Sequence, residues 1–197
     1  MRYLRHLTSE RVFIVHGWGD KPTDHWIPWL KAQLEERGLF VSAPAMPNPE
    51  TPRIEDWVSH LDREVGEVGP DTYYVGHSIG CQTILRHLQR SPGETRARGA
   101  AMVAPWFVLT GQSDAEDVIA RPWIDTPIDF PRVRSRLPNL TAFFSDDDPW
   151  VPAENQSLFE QRLAAQTRLL HGHKHLGVES GMTVFPELLA VTLNGPG

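Results

Sequence analysis

Alternating strand-like and helix-like segments predict an α/β chain. The expected form is a three-layer sandwich of about six mainly parallel strands with helices on both faces. Two further observations agree. The 197 residues are 40 % hydrophobic and 22 % charged, which suits one soluble domain with a substantial core. No internal repeat, low-complexity tract or interdomain linker breaks the alternation. Residues 1–197 are therefore expected as one domain, with a small lid-like insertion around 105–137.

The elements follow in order. Residues 11–16, RVFIVH, form a β-branched run ending at Gly17 and read as a buried strand. Residues 24–37 place Trp26, Ile27, Leu30 and Leu34 near helical spacing. Asp24 is the expected N-cap and Gly38 the C′ residue, and Pro28 fits only in the first turn. A second strand is expected over 39–45, then a proline-rich loop. Over roughly 53–67 a helix puts Ile54, Trp57, Val58, Leu61 and Val65 on one face. DTYYVG is the third strand, and IGCQTILRHLQR is a helix with Cys81, Ile84, Leu85 and Leu88 in register. ARGAAMVA and LTAFFS are strands four and five, separated by a long irregular region rich in proline and tryptophan, 105–137. The helix AENQSLFEQRLA, the strand TRLLH and a helix over 183–193 complete the chain.

Bulk properties exclude several partners. Nineteen basic against 25 acidic residues give a formal charge of −6, with no basic block to hold nucleic acid or an anionic membrane. The N-terminal MRYLRHLTSE lacks the apolar core of a signal peptide, and the longest apolar run, GAAMVAPWFVL, is too short to span a bilayer. One cysteine, Cys81, fits a reducing compartment, so a cytoplasmic location is expected. No cofactor is expected. A protein partner is possible but nothing in the sequence points to one.

The chemistry centres on Gly76-His77-Ser78-Ile79-Gly80. A strand that turns sharply into a helix strains the residue at its apex. Glycines two positions either side remove the side chains that would collide there, and the serine hydroxyl projects above the sheet. TYYV before and an amphipathic helix after supply the context of a nucleophile elbow, with Ser78 as nucleophile. The helix N-terminus lies beside it, so the Ile79 amide is one candidate oxyanion donor. Trp18, in HGWGD after the first strand, offers the second oxyanion amide.

Serine needs a general base and a carboxylate to orient it. In α/β-hydrolases these follow the serine in the order acid, then histidine. Strand five leads into SDDDPWVP, where Asp146, Asp147 and Asp148 compete, at least one of them as a solvated turn capping the next helix. Strand six leads into HGHKHLGVESG, where His171, His173 and His175 alternate. One is expected as the base and the others as loop surface. A metal-binding reading of the three lacks any acidic or cysteine partner at recognisable spacing, so no metal is expected.

HGWGD with HW close behind, MPNPETPRIEDW, GHSIG, ARPW, SDDDPWVP and HLGVESGMTVFPEL occur in that order over residues 11–190. Together they resemble the small α/β-hydrolases of the retinoblastoma-binding serine hydrolase family. The resemblance implies a minimal α/β-hydrolase fold and a catalytic triad of Ser78, Asp148 and His175. Family members usually carry glycine just before that histidine. Lys174 stands there in this chain, and His173 is the fallback base.

The resulting expectation is a carboxylesterase-like serine hydrolase. It would cleave a small hydrophobic ester, thioester or activated amide through an acyl-enzyme. Trp18, Trp106 and Trp150 all follow strands and, with His77, should line the substrate pocket. Trp26, Trp29 and Trp57 lie on helix faces as core, and Cys81 is buried filler. The alternatives are a non-enzymatic protein-interaction module that keeps the fold and a metal-dependent hydrolase built on the histidine run.

Overall fold

The computed structural model describes residues 10–94 and 96–194. The N-terminal MRYLRHLTSE, expected not to be a signal peptide, falls almost wholly outside them.

Six strands form one sheet: β1 (Arg11–Val15), β2 (Phe40–Ser42), β3 (Thr72–His77), β4 (Gly99–Val103), β5 (Leu140–Ser145) and β6 (Gln166–Leu170). Every pairing is parallel, in the order β2-β1-β3-β4-β5-β6. Strands β3, β4 and β5 are buried throughout, which is why they read as continuous apolar runs and not as alternating ones.

Side chains still alternate between faces, and the two faces bury different helices. Val12, Ile14, Tyr73, Val75, Ala101 and Val103 pack against α1 (Ile27–Glu35) and α7 (Pro186–Asn194). Phe13, Val15, Tyr74, Ala100 and Met102 pack on the other side. There they meet α2 (Ile54–Val65), α3 (Ile79–Arg90), α4 (Asp114–Asp125), α5 (Phe130–Arg136) and α6 (Glu154–Leu163). This is the expected three-layer arrangement.

Local expectations differ from the structure in several places, and the strand expected over 39–45 is confined to Phe40–Ser42. Asp24 does not cap α1: the N-cap is Trp26, and the Asp24 carboxylate instead accepts the Lys21 N–H at 2.8 Å. Pro28 sits in the first turn, as its missing N–H requires. The region 105–137 is not irregular, since it contains both α4 and α5. Helix α4 opens with a capping box in which Ser113 and Glu116 satisfy each other's backbone N–H groups. Trp29 is only half-buried, whereas Trp26, Trp57 and Cys81 are fully buried core.

The strand order places the site. The chain leaves β1 for β2 on one side and later returns to β3 on the other. Beyond the carboxyl ends of β1 and β3 the connections diverge and leave a crevice. The HGWGD loop and the elbow serine both lie at this point.

Candidate active site

Ser78 is built as the elbow geometry demands. Its backbone has φ 51° and ψ −120°, a conformation costing on the order of 1–3 kcal/mol for a residue with a side chain. Backbone bonds on both sides hold it there: Ser78 N–H donates to Val103 O at 2.9 Å, and Cys81 N–H donates to Ser78 O at 3.0 Å. The flanking glycines are required by contact distance. A Cβ on Gly80 would lie 2.3 Å from Val15 O, and one on Gly76 would lie 2.9 Å from the Cys81 amide nitrogen. Helix α3 can start directly beneath β1 only because both are absent.

The Ile79 N–H, first of α3, and the Trp18 N–H have no hydrogen-bond acceptor among the described residues. Trp18 is anchored through its indole N–H, which donates to Glu50 O at 3.0 Å, and Gly19 N–H donates to Pro49 O at 2.9 Å. The proline-rich loop thus braces the loop after β1 and leaves the Trp18 amide free.

The three aspartates after β5 are all engaged with the loop after β6. Asp146 accepts from His171 Nδ1 at 2.6 Å and Gly172 N–H at 2.9 Å, which hold its carboxyl below the usual range. Asp147 accepts from the Ser145 hydroxyl at 2.8 Å and Lys174 N–H at 2.7 Å, with the same effect. Asp148 accepts from His175 Nδ1 at 2.8 Å. Its other oxygen takes the Trp150 and Val151 N–H groups at 2.9 and 3.0 Å. None caps α6, whose N-cap is Ala153, so the capping role expected of them is corrected, while Asp146 and Asp147 do lie exposed in a turn. Their shared task is to hold the histidine loop.

That loop is strained around His175. Lys174 and Leu176 have φ of 47° and 56°. The left-handed backbone at Lys174 is one that glycine adopts most easily, and the Asp147 bond to Lys174 N–H offsets the cost of lysine. His173 does not border the cavity at the serine, whereas His175 does. Because Asp148 already accepts two backbone N–H groups, it is an acceptor for Nδ1–H of His175, which leaves Nε2 with its lone pair. The Trp150 ring stands at 89° to the imidazole, with centroids 5.1 Å apart.

Ser78, His175, His77, Trp18, Trp106 and Trp150 all border one cavity of about 320 Å³. In this structure the Ser78 hydroxyl accepts from the Trp106 indole N–H at 3.4 Å. Among the described residues it makes no direct hydrogen bond to His175. Sequence reasoning missed the carboxylates at the cavity: Asp20 inside it, and Glu50, Glu116 and Glu179 around its mouth. Among the described residues no lysine or arginine lines it. Asp20 was legible as a carboxylate directly after a strand, but Glu116 rides on a helix that the proline-rich composition hid.

Asp20 also gathers two histidines. Its Oδ2 lies 3.0 Å from His77 Nδ1 and 3.4 Å from His25 Nε2, and accepts Gly17 N–H at 3.2 Å. Burial alone would raise its carboxyl, but the two histidine bonds outweigh it and the pKa is lowered. The Cys81 thiol, raised by burial, points to Val103 O and does not line the cavity.

A parallel sheet with an elbow serine after β3 and an Asp–His pair on the loops after β5 and β6 defines a minimal α/β-hydrolase. The chain matches the serine hydrolase family over residues 12–193 and belongs to it. It is 30 % identical over 179 residues to YdeN of Bacillus subtilis (strain 168), covering 90 % of this chain and 92 % of that protein. To the serine hydrolase RBBP9 of Rattus norvegicus it is 27 % identical over 154 residues, 77 % of each chain. The crystal structure of the B. subtilis ydeN gene product superposes with a TM-score of 0.84, covering 93 % of this chain and 96 % of that one. Among the described residues no helix is long and apolar enough to cross a membrane.

Proposed function

We propose that this protein is a carboxylesterase-like serine hydrolase in which Ser78, His175 and Asp148 act as the triad. The observation that carries the reading is the convergence of a strained elbow serine and an Asp-oriented histidine on one cavity. On substrate binding the Ser78 hydroxyl turns from Trp106 toward His175. Catalytic hydrogen bonds commonly tighten only in the substrate complex. His175 Nε2 takes the hydroxyl proton as Oγ attacks the acyl carbonyl. Asp148 keeps the proton on Nδ1 and stabilises the imidazolium. The unpaired amides of Ile79 and Trp18 receive the oxyanion, and each such donor is worth on the order of 10²–10³ in kcat. The imidazolium then protonates the leaving alcohol. Water, deprotonated by His175, releases the acyl group from Ser78.

The lining of the cavity supports a reading of the substrate class. Walls of Trp18, Trp106 and Trp150 suit a small apolar or aromatic acyl group. The carboxylates of Asp20, Glu50, Glu116 and Glu179, with no lysine or arginine beside them among the described residues, repel an anionic one. A panel of p-nitrophenyl esters tests both statements. Short neutral acyl esters should turn over, and Ser78→Ala should remove that turnover. The mono-ester of a dicarboxylate of equal length should show a kcat/KM lower by about tenfold or more, a gap that narrows with added salt. Equal rates for the neutral and anionic esters would overturn the substrate assignment.

A further inference from the structure

Every polar contact of His77 is with an acceptor. Its Nε2 lies 2.9 Å from the His175 carbonyl oxygen, which can only accept. Its Nδ1 lies 3.0 Å from Asp20 Oδ2. That oxygen already accepts the Gly17 N–H. It also faces His25 Nε2, which carries that ring's proton, because His25 Nδ1 is buried with no partner among the described residues. Asp20 is therefore a carboxylate, and both ring nitrogens of His77 are donors. The ring is an imidazolium, buried directly before the nucleophile.

Two loops close on this ring. A Cβ on Gly17 would lie 2.7 Å from His77 Nδ1, and one on Gly177 would lie 2.9 Å from Cε1. The loop after β1, which offers the Trp18 amide, and the loop after β6, which carries His175, thus each bring a glycine against a face or edge of the same side chain. The second loop needs such a hold, since both neighbours of His175 are left-handed.

We propose that His77 is a positioning residue for the reaction proposed above. It is a buried imidazolium that ties the His175 backbone to Asp20 and so fixes the base loop against the oxyanion loop. Burial pushes His77 down, but the Asp20 bond and charge and the His175 carbonyl outweigh it, and its pKa is raised. The groups facing it are Asp20 and His25 from the loop after β1, His16 from the end of β1, and His175 and Glu179 from the region after β6. Below the raised pKa both donors are present. As pH rises through it, one proton leaves and one of the two bonds is lost, so the hold on His175 weakens on the alkaline side.

Ring-nitrogen NMR of the ¹⁵N-labelled full chain, with His77 assigned through His77→Gln, reads the charge state without any turnover. At about pH 8, above the ordinary histidine value, both His77 nitrogens should still be protonated, with or without EDTA. In Asp20→Asn the ring should become neutral at that pH. The alkaline fall of kcat on a neutral p-nitrophenyl ester should then move down by about one pH unit or more, while KM changes less than about threefold. A neutral His77 in the unmodified protein would overturn the proposal. So would an alkaline limb that Asp20→Asn leaves in place, or zinc binding that shifts His25 and His77 together. An inactive protein that still shows the doubly protonated ring would count against the hydrolase reading and against His77 acting through catalysis, while the buried ion pair would stand.

Discussion

Two histidines at the ends of neighbouring strands show how hydrogen-bond partners fix charge. His77 meets two acceptors. His16, one residue past β1, meets one of each: its Nδ1–H donates to Gly17 O at 2.8 Å, and its Nε2 accepts Met46 N–H at 2.9 Å. A proton on His16 Nε2 would face that amide hydrogen. Burial lowers its pKa, outweighing the bond to Gly17 O and the Asp20 charge, which favour the proton. The unfolded chain takes a proton near the ordinary histidine value of about 6.5, and folded His16 refuses it. Stability is therefore lost as pH falls through that value, by at most about 1.4 kcal/mol per pH unit for the single proton. His25, lowered by burial as well, adds in the same direction. His77 has the opposite sign, but its contribution is already complete below its unfolded value. Urea unfolding should show a falling midpoint between about pH 7 and 5.5, with a shallower slope in His16→Gln. An identical slope in the variant would contradict this account of His16.

At the scale of elements, the clearest sequence signals were those with a steric cause. The elbow was legible because two backbones approach so closely at Gly76 and Gly80 that no other residue fits. Strands β3, β4 and β5 were legible because burial on both faces demands unbroken apolar runs. Helix α4 was obscured because it buries only Ala120 and Trp123 and carries Pro122 in its interior. The Ser113–Glu116 capping box was its one clear local signal. What holds its C-terminal end is distant in sequence. Arg86 on α3 donates to Trp123 O at 2.8 Å and Thr126 O at 2.9 Å, its guanidinium lying 5.9 Å over the Trp123 ring. Burial lowers its pKa to about 10. Arg86→Met keeps most of the bulk but leaves two carbonyls without a donor. It should lower unfolding free energy by about 1–3 kcal/mol and speed hydrogen exchange across 114–128. An unchanged midpoint would show that α4 is held by its apolar contacts alone.

For the whole molecule, the governing fact is the reversal of strand order between β1 and β3. The candidate site residues follow strands β1, β3, β4, β5 and β6, a rule that the sequence alone could apply. It narrowed the acid to three aspartates and the base to three histidines. It could go no further, because pairing Asp146 with His171 and Asp148 with His175 depends on loop geometry across more than twenty residues. The same limit hid the contact between Asp20 and His77, which lie 57 residues apart. The role of Ser78 is the claim on which the rest stands, and a fluorophosphonate probe followed by peptide mass spectrometry addresses it directly. The account predicts one adduct, on Ser78, absent in Ser78→Ala and strongly slowed in His175→Ala. A folded native protein that stays unlabelled, or carries its adduct on another residue, would contradict it.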